Sequence, residues 1–226
     1  MSAFTLIPGA GGAATWYWHR VVPELVARGH RATAVDLPGP DESAGLPEYT
    51  DKVAAVAAGQ GDDVVLVAQS MGGFTAAMAC ARVPVRMLVL LNAMIPVPGE
   101  TPGEWWDNTG WQPDRLAAAG AGGYPAEVDL ATYFLHDVPA DVYASGADTE
   151  HNEADIAFTQ PCDIERWPDV PTRVLAGRDD RFFPAPFQRR VARERLGLDI
   201  DETPGGHLAA LSYPAELADR LVRYLD

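Results

Sequence analysis

Basic residues are scarce in this chain, and lysine is nearly absent. Lys52 is the only lysine, and the 17 lysine and arginine residues are outnumbered by 32 aspartate and glutamate residues, which gives a formal net charge of −15. A surface this acidic repels polyanions. The composition therefore argues against nucleic acids and anionic membrane surfaces as partners.

Cysteine is also scarce, and long apolar runs are missing. The chain has two cysteines, Cys80 and Cys162, which are too few for a disulfide framework and do not have the spacing of a metal site. No apolar run approaches the ~18 residues of a membrane-spanning helix. The first residues lack the basic and apolar regions of a signal peptide. We therefore expect a cytoplasmic protein with free thiols, no bound metal and no membrane anchor.

Short apolar runs alternate with amphipathic segments along most of the chain. Runs that predict strands lie at residues 4–8, 31–37, 63–68, 85–93, 172–176 and 199–202. Apolar strands separated by helices form parallel sheets covered on both faces, and right-handed crossovers make them doubly wound. The sequence predicts a single α/β domain over residues 1–226, with a mostly parallel sheet of about six strands flanked by helices.

The alternation stops between about residues 96 and 168. This stretch is rich in proline, glycine, alanine and aromatic residues. An insertion after a strand of an α/β sheet lies above the strand ends, where such folds bind ligands. We interpret it as a cap insertion and expect Trp105 and Trp106, at its start, to line a substrate pocket. The alternative is an irregular excursion whose aromatic residues pack on the core.

A candidate nucleophile follows the third predicted strand. Residues 68–73 read Ala-Gln-Ser-Met-Gly-Gly directly after an apolar run. Small residues around a serine in a strand-to-helix turn push its hydroxyl out of the top of the sheet. The usual motif has glycine where this chain has Ala68. Ser70 is therefore a candidate catalytic nucleophile, and the alternative is that it only caps the helix.

Two further motifs follow Ser70 in the chain. Asp180 comes after the fifth predicted strand, and His207 follows two glycines after the sixth. The order Ser, Asp, His at three strand ends is typical of serine hydrolases built on an α/β sheet. In that chemistry the histidine takes the serine proton and the carboxylate orients the imidazole. Asp179 and Asp180 could instead cap a helix, so the prediction depends on the combination of motifs.

A serine hydrolase also needs two N–H donors for the oxyanion that develops during the reaction. The amide of Met71, at the start of the helix after Ser70, is one candidate. The second is expected in the glycine-rich loop after the first strand, and we assign it to Ala10.

The whole chain resembles the α/β-hydrolase superfamily, in particular the group of plant methyl esterases, hydroxynitrile lyases and related bacterial carboxylesterases. The resemblance implies an α/β-hydrolase fold with a cap, a triad of Ser70, Asp180 and His207, Ala10 as an oxyanion donor, and no cofactor. The acid of this group lies three residues after a glycine and four before a proline, which favours Asp180 over Asp179. The matching stretches are Pro8-Gly9-Ala10 with Trp16 and Trp18 downstream, Gly29-His30, Asp36-Leu37-Pro38-Gly39, residues 68–73, residues 134–138, Gly177-x-x-Asp180-x-x-x-Pro184 and Gly206-His207.

The chain also departs from this group. Members commonly carry histidine where this chain has Pro8, and the lyases carry lysine after the triad histidine and threonine in the oxyanion loop, where this chain has Leu208 and Gly9. The resemblance therefore favours a carboxylesterase that cleaves a small, partly apolar ester through an acyl-enzyme, with Leu208 contacting the substrate. We expect a monomer or homodimer. The alternatives are a lyase that uses the same triad for proton transfer, and a small-molecule binding protein on the same scaffold.

Overall fold

Six strands form one sheet at the centre of this computed structural model, which describes residues 1–149 and 151–226. The strand order is β2-β1-β3-β4-β5-β6, and every neighbouring pair is parallel. The predicted doubly wound α/β architecture is confirmed. The strands are β1 Ala3–Ile7, β2 Arg31–Ala34, β3 Val64–Ser70, β4 Met87–Ala93, β5 Thr172–Gly177 and β6 Ile200–Thr203.

Helices connect the strands and cover both faces of the sheet. Among the described residues, none of these helices has the length and apolar character needed to cross a membrane. The α-helices are α1 Ala14–Tyr17, α2 Val21–Ala27, α3 Leu46–Ala58, α4 Gly72–Cys80, α5 Pro102–Asn108, α6 Trp111–Gly122, α7 Leu130–Tyr133, α8 Ala140–Ala144, α9 Asp155–Thr159, α10 Ala185–Leu196, α11 Ala209–Ser212 and α12 Pro214–Arg223.

The hydrophobic core has two layers, one on each face of the sheet. In β3, Leu66 and Ala68 pack with residues of α3, α4 and α10, whereas Val65 and Val67 pack with residues of α1, α2 and α12. Successive side chains of a strand point to opposite faces, which explains why the apolar residues of β3 are shared between the two layers. Each fully buried Leu or Val contributes about 1.5–3 kcal/mol. The sheet is therefore a rigid support for the loops at its ends.

The register of the strands brings the predicted site residues to one edge. Ile7 at the end of β1 pairs with Ala68 in β3, and Gly177 at the end of β5 pairs with Thr203 at the end of β6. Parallel strands end at the same edge of a sheet. The loops that carry residues 8–12, 70–72, 178–184 and 204–208 therefore meet there.

The segment between β4 and β5 is more helical than its composition predicts. It contains α5 to α9 together with a 3₁₀-helix at Ala147–Thr149. Helix α5 begins with a capping box: the Glu104 amide donates to Thr101 Oγ1 at 3.1 Å, and the Thr101 amide donates to Glu104 Oε2 at 3.0 Å. Pro102 occupies the first turn, where its missing N–H costs nothing. The sequence Thr101-Pro102-Gly103-Glu104 therefore predicts a helix that begins at Pro102.

The amphipathic segment between β1 and β2 forms two short helices and not one continuous helix. The structure has two helices there, α1 and α2, which are interrupted at residues 18–20. Pro23 lies in the first turn of α2, where a helix tolerates proline, whereas in the middle of one continuous helix it would remove a hydrogen bond.

Candidate active site

Ser70 lies in a strained turn between β3 and α4. Its φ is +51°, and only Ser70 and Asn92 have positive φ among the described residues other than glycine. Gly72 permits the turn, because a Cβ there would lie 2.4 Å from the carbonyl oxygen of Pro8. Strained backbone of this kind costs about 1–3 kcal/mol and persists where the surroundings hold it in place. The geometry matches the strand-to-helix turn that the small residues around Ser70 predict.

His207 and Asp180 form a buried hydrogen-bonded pair. The distance from His207 Nδ1 to Asp180 Oδ2 is 2.9 Å, and the side chains are 2% and 0% exposed. A carboxylate only accepts, so Nδ1 donates and Nε2 is left as the acceptor. Asp180 Oδ1 accepts the backbone N–H groups of Phe182 and Phe183 at 2.8 and 2.9 Å. The carboxylate is thereby fixed in position and orients the imidazole.

Asp179 has a different environment from its neighbour. Its side chain is exposed, and Oδ2 only accepts a long hydrogen bond of 3.4 Å from the Gly205 amide. Of the two adjacent acids, the structure places Asp180 against the imidazole.

Three phenylalanine rings surround the His207 imidazole. The ring centroids of Phe134, Phe182 and Phe183 lie 5.3, 5.1 and 5.0 Å from that of His207, and each pair meets edge to face. Phe134 comes from the segment between β4 and β5, and the other two follow β5. The rings restrict rotation of the imidazole and exclude water from its faces. Edge-to-face pairs of this type add about 0.5–1.5 kcal/mol each to the area that they bury.

Buried amide side chains hold the histidine loop, and the sequence analysis did not select them. Asn92 Nδ2 donates to the carbonyl oxygens of Gly206 and His207 at 3.0 and 3.2 Å, and Asn92 Oδ1 accepts the Gly177 N–H at 2.6 Å. Gln188 Nε2 donates to Asn92 Oδ1 at 3.1 Å and to the carbonyl oxygen of Phe183 at 2.7 Å. The available signal was Asn92 itself, a polar residue within the apolar run of β4.

The segment between β4 and β5 also contacts both loops. His136 Nε2 lies 3.0 Å from the carbonyl oxygen of Asp179, and Asp137 Oδ2 accepts the Gly206 N–H at 2.7 Å. Burial lowers the pKa of the His136 imidazole, and the nearby Arg181 guanidinium lowers it further. A carbonyl oxygen only accepts, so His136 donates through Nε2. His136 and Asp137 thus connect the loop after β5, which carries Asp180, to the loop after β6, which carries His207.

The loop after β1 runs directly beside Ser70. A Cβ on Gly9 would lie 2.7 Å from Ser70 Cβ, so only glycine fits. The Gly9 N–H donates to Gln69 Oε1 at 3.0 Å, and Gln69 Nε2 donates to the carbonyl oxygen of His207 at 3.3 Å. Ala10 follows Gly9 in this loop and lines the same cavity as Ser70. Met71 follows Ser70 at the N-terminus of α4, where helix amide groups lack internal partners.

A cavity of about 240 Å³ opens over these groups, and Ser70, His207, Ala10 and Leu208 all line it. Lysine, arginine, aspartate and glutamate contribute no lining side chain among the described residues. Burial raises the pKa of the Tyr17 hydroxyl in its wall, so that group stays neutral. Within the described residues the Ser70 hydroxyl has no hydrogen-bond partner, and such contacts commonly tighten only when substrate binds. The other lining residues are Pro8, Gly9, Gly11, Gly12, Trp16, Tyr17, Gln69, Leu130, Phe134 and Leu135.

The expected positions of Trp105 and Trp106 in a substrate pocket are wrong for this cavity. Trp105 is 1% exposed, packs on Phe183 and Phe187, and donates from Nε1 to the carbonyl oxygen of Ile95 at 3.1 Å. Trp106 packs edge to face on Trp105. Helix α5 packs Trp105 into the core, with the partly buried Trp106 beside it, whereas α7 and the residues after it supply the cavity wall.

Metal ligands do not cluster in the part of the chain that the structure describes: no group of three histidine, cysteine, aspartate or glutamate side chains could hold an ion there. Cys80 and Cys162 are free thiols, and burial raises the pKa of each to about 12. Neither thiol is therefore a nucleophile near neutral pH.

Comparison with known proteins gives matches along the whole chain. A model of the alpha/beta hydrolase family matches residues 6–220. Methylesterase 7 of Arabidopsis thaliana is 32% identical over 263 residues, which cover 99% of this chain and 96% of that protein. The probable esterase PIR7A of Oryza sativa subsp. indica is 29% identical over 260 residues, which cover 97% of this chain and 95% of that protein.

A solved structure extends the likeness to the fold. Polyneuridine aldehyde esterase superposes with a TM-score of 0.81 at 19% identity, and the match covers 100% of both chains. At that identity the likeness concerns the fold alone.

Proposed function

Because the chain belongs to the alpha/beta hydrolase family and is a carboxylic ester hydrolase, we propose that it cleaves small, partly apolar esters through a triad of Ser70, His207 and Asp180. The family resemblance drawn from the sequence motifs is confirmed by the match over residues 6–220. The observation that carries the proposed mechanism is the buried His207–Asp180 pair, whose imidazole lines the same cavity as the strained Ser70.

Acylation begins with attack of Ser70 Oγ on the ester carbonyl carbon. A new C–O bond forms, the π pair of the carbonyl moves to its oxygen, and the hydroxyl proton passes to His207 Nε2. Asp180 stabilises the imidazolium and holds its Nδ1–H. The tetrahedral intermediate collapses as the bond to the alcohol oxygen breaks, and His207 returns the proton to that alcohol.

Deacylation repeats these steps with water. His207 Nε2 accepts a proton from the water that attacks the acyl-enzyme, and the bond to Ser70 Oγ breaks as Ser70 recovers its proton. The acid leaves, and the protein returns to its starting state without a cofactor.

The oxyanion of both intermediates is stabilised by the amides of Ala10 and Met71. One amide comes from the loop after β1 and the other from the start of α4, and these two segments are adjacent, since a Cβ on Gly72 would lie 2.4 Å from the carbonyl oxygen of Pro8. The N-terminal end of a helix carries partial positive charge, which adds to the stabilisation. Loss of one such donor typically lowers kcat by about 10²–10³.

The lining of the cavity supports an uncharged, partly apolar substrate. Leu130, Phe134, Leu135 and Leu208 form apolar walls, and no cationic side chain among the described residues would pair with a carboxylate in the substrate. A net charge of −15 further disfavours anionic esters. The segment over residues 96–168 acts as the cap in this proposal, since it contributes part of the wall.

Covalent labelling tests the nucleophile directly. A fluorophosphonate should add one adduct to the wild-type protein by intact mass and none to Ser70→Ala. Ser43→Ala, at an exposed serine, is the matched control and should label like wild type. A panel of neutral and carboxylate-bearing esters of graded acyl size then measures the pocket. Labelling of Ser70→Ala, or an absence of ester hydrolysis by the wild type, would contradict the proposal.

A cytoplasmic location and a monomeric or homodimeric state complete the proposal. Size-exclusion chromatography with light scattering measures the oligomeric state.

A further inference from the structure

A carboxylate from the segment between β4 and β5 binds the loop after β1. Glu153 Oε2 accepts the backbone N–H of Gly11 at 2.9 Å, and Oε1 accepts the hydroxyl of Tyr49 at 2.5 Å. The Glu153 side chain is 6% exposed. Both oxygens therefore have partners, and the carboxylate cannot rotate away from Gly11 without leaving a buried charge with fewer hydrogen bonds, which is costly.

Backbone contacts reinforce this attachment. The His151 N–H donates to the carbonyl oxygen of Gly11 at 3.2 Å, and the Ala154 N–H donates to the carbonyl oxygen of Gly39 at 2.8 Å. Residues 151–154 thus bind both the N–H and the C=O of Gly11. Since Tyr49 belongs to α3, Glu153 also connects the loop to a helix that packs on the sheet.

The attachment concerns the proposed oxyanion donor because of where Ala10 lies. Its amide belongs to the peptide between Gly9 and Ala10. The amide before it, on Gly9, donates to Gln69 Oε1 at 3.0 Å, and the amide after it, on Gly11, donates to Glu153 Oε2 at 2.9 Å. With both neighbouring peptides fixed by buried side chains, the direction of the Ala10 N–H is fixed as well.

The negative charge of Glu153 does not itself help to stabilise the oxyanion. A negative charge near a developing oxyanion opposes it, so a carboxylate here helps only through its hydrogen bonds. A glutamine side chain can accept the Gly11 N–H through its oxygen and donate from its NH₂ group to the Tyr49 hydroxyl oxygen. The hydrogen bond to Gly11 is therefore kept without the charge, whereas the bond to Tyr49 reverses its direction and the ion pair with His151, whose Nε2 lies 3.8 Å from Glu153 Oε2, is lost.

We propose that Glu153 is a positioning residue for the oxyanion hole: it holds Gly11 so that the Ala10 amide points at the oxyanion. This role rests on the ester hydrolysis proposed above. It makes the segment between β4 and β5 part of the catalytic geometry as well as a wall of the cavity.

The test compares Glu153→Ala, Glu153→Gln and the control Asp155→Asn, which removes an exposed carboxylate from the same segment. Kinetics on a p-nitrophenyl ester give kcat and KM. The inhibition constant of a trifluoromethyl ketone gives a second readout, because its adduct with Ser70 places an oxyanion in the hole. Thermal unfolding of each variant is measured in parallel.

We expect Glu153→Ala to lower kcat by about tenfold or more, to weaken the trifluoromethyl ketone by a similar factor and to leave KM within about threefold. Glu153→Gln and Asp155→Asn should keep both kcat and inhibition close to wild type. If Glu153→Ala does not fold, Tyr49→Phe removes one hydroxyl that holds the carboxylate and should produce the same pattern at smaller size.

Two results would overturn the role of Glu153. One is a wild-type kcat in Glu153→Ala, or in Tyr49→Phe where that variant replaces it. The other is a loss of thermal stability without any change in trifluoromethyl ketone affinity, which would make the contact purely structural. A wild-type protein that hydrolyses no ester would instead overturn the proposed function, and this role with it.

Discussion

His207 Nδ1 lies 2.9 Å from Asp180 Oδ2, both side chains are buried, and Asp180 is itself held by two backbone amides. The pair is therefore directional: the carboxylate fixes which imidazole nitrogen carries the proton. The free nitrogen, Nε2, belongs to a ring that lines the same cavity as Ser70. This relationship gives the proposed general base its orientation before any substrate arrives.

Asp180→Asn should reduce kcat by about 10²–10⁴, because an amide cannot stabilise the imidazolium and favours the wrong tautomer. Asp179→Asn is the matched variant one residue away, and its exposed side chain should make it nearly silent. Steady-state kinetics on one p-nitrophenyl ester are sufficient for the comparison. If Asp179→Asn were the more damaging change, the proposed acid would be misassigned.

Asn92→Ala should lower both stability and turnover. The substitution leaves the carbonyl oxygens of Gly206 and His207 and the N–H of Gly177 without their partner, at about 1–3 kcal/mol for each buried group that stays unpaired. Urea unfolding measures the stability, and kcat of the folded protein measures the displacement of His207. Asn152→Ala, at an exposed asparagine, should change neither. Wild-type stability in Asn92→Ala would show that the network contributes little.

Trp105→Ala should destabilise the protein by about 3–5 kcal/mol, because it leaves a cavity in the core. Since Trp105 lies behind the site and not in the cavity wall, the folded variant should keep the wild-type acyl preference. Leu208→Ala is the contrasting change: it enlarges the cavity and should shift preference toward longer acyl groups. Chemical unfolding and an ester series measure the two effects. An altered acyl preference in Trp105→Ala would show that Trp105 contacts the substrate after all.

The protein should not cleave cyanohydrins at a useful rate. Departing cyanide is an anion, and a site without a nearby cation leaves it uncompensated. Leu208 follows His207, and the only lysine, Lys52, lies on α3 and does not line the cavity. Incubation with mandelonitrile at mildly acidic pH, followed by benzaldehyde release, provides the measurement. Rapid release that depends on Ser70 and exceeds ester hydrolysis would establish a lyase instead.

The parallel arrangement of the strands and the edge where the site lies were readable from local patterns. Ser70, Asp180 and His207 each follow an apolar strand in the sequence, and parallel strands bring their ends to one edge. The helix start at Thr101 was also readable and was missed. Had it been used, α5 would have been placed correctly, although the burial of Trp105 would still have depended on what α5 packs against.

The residues that hold the site act through contacts that no local pattern specifies. Gln69, Asn92 and Glu153 act on loops that are distant in sequence, and Glu153 lies 142 residues from Gly11. A pattern of apolar and polar residues reports the period of a helix or strand, but not which far segment a buried side chain will meet.

The sequence by itself determined the parallel α/β sheet, the order of the candidate triad and the absence of a lysine beside the histidine, because each is encoded in neighbouring residues. Only the tertiary structure decided that Trp105 fills the core and that the segment between β4 and β5 binds the loop around Ala10. Those outcomes depend on long-range packing, in which buried polar groups find partners wherever the fold brings them.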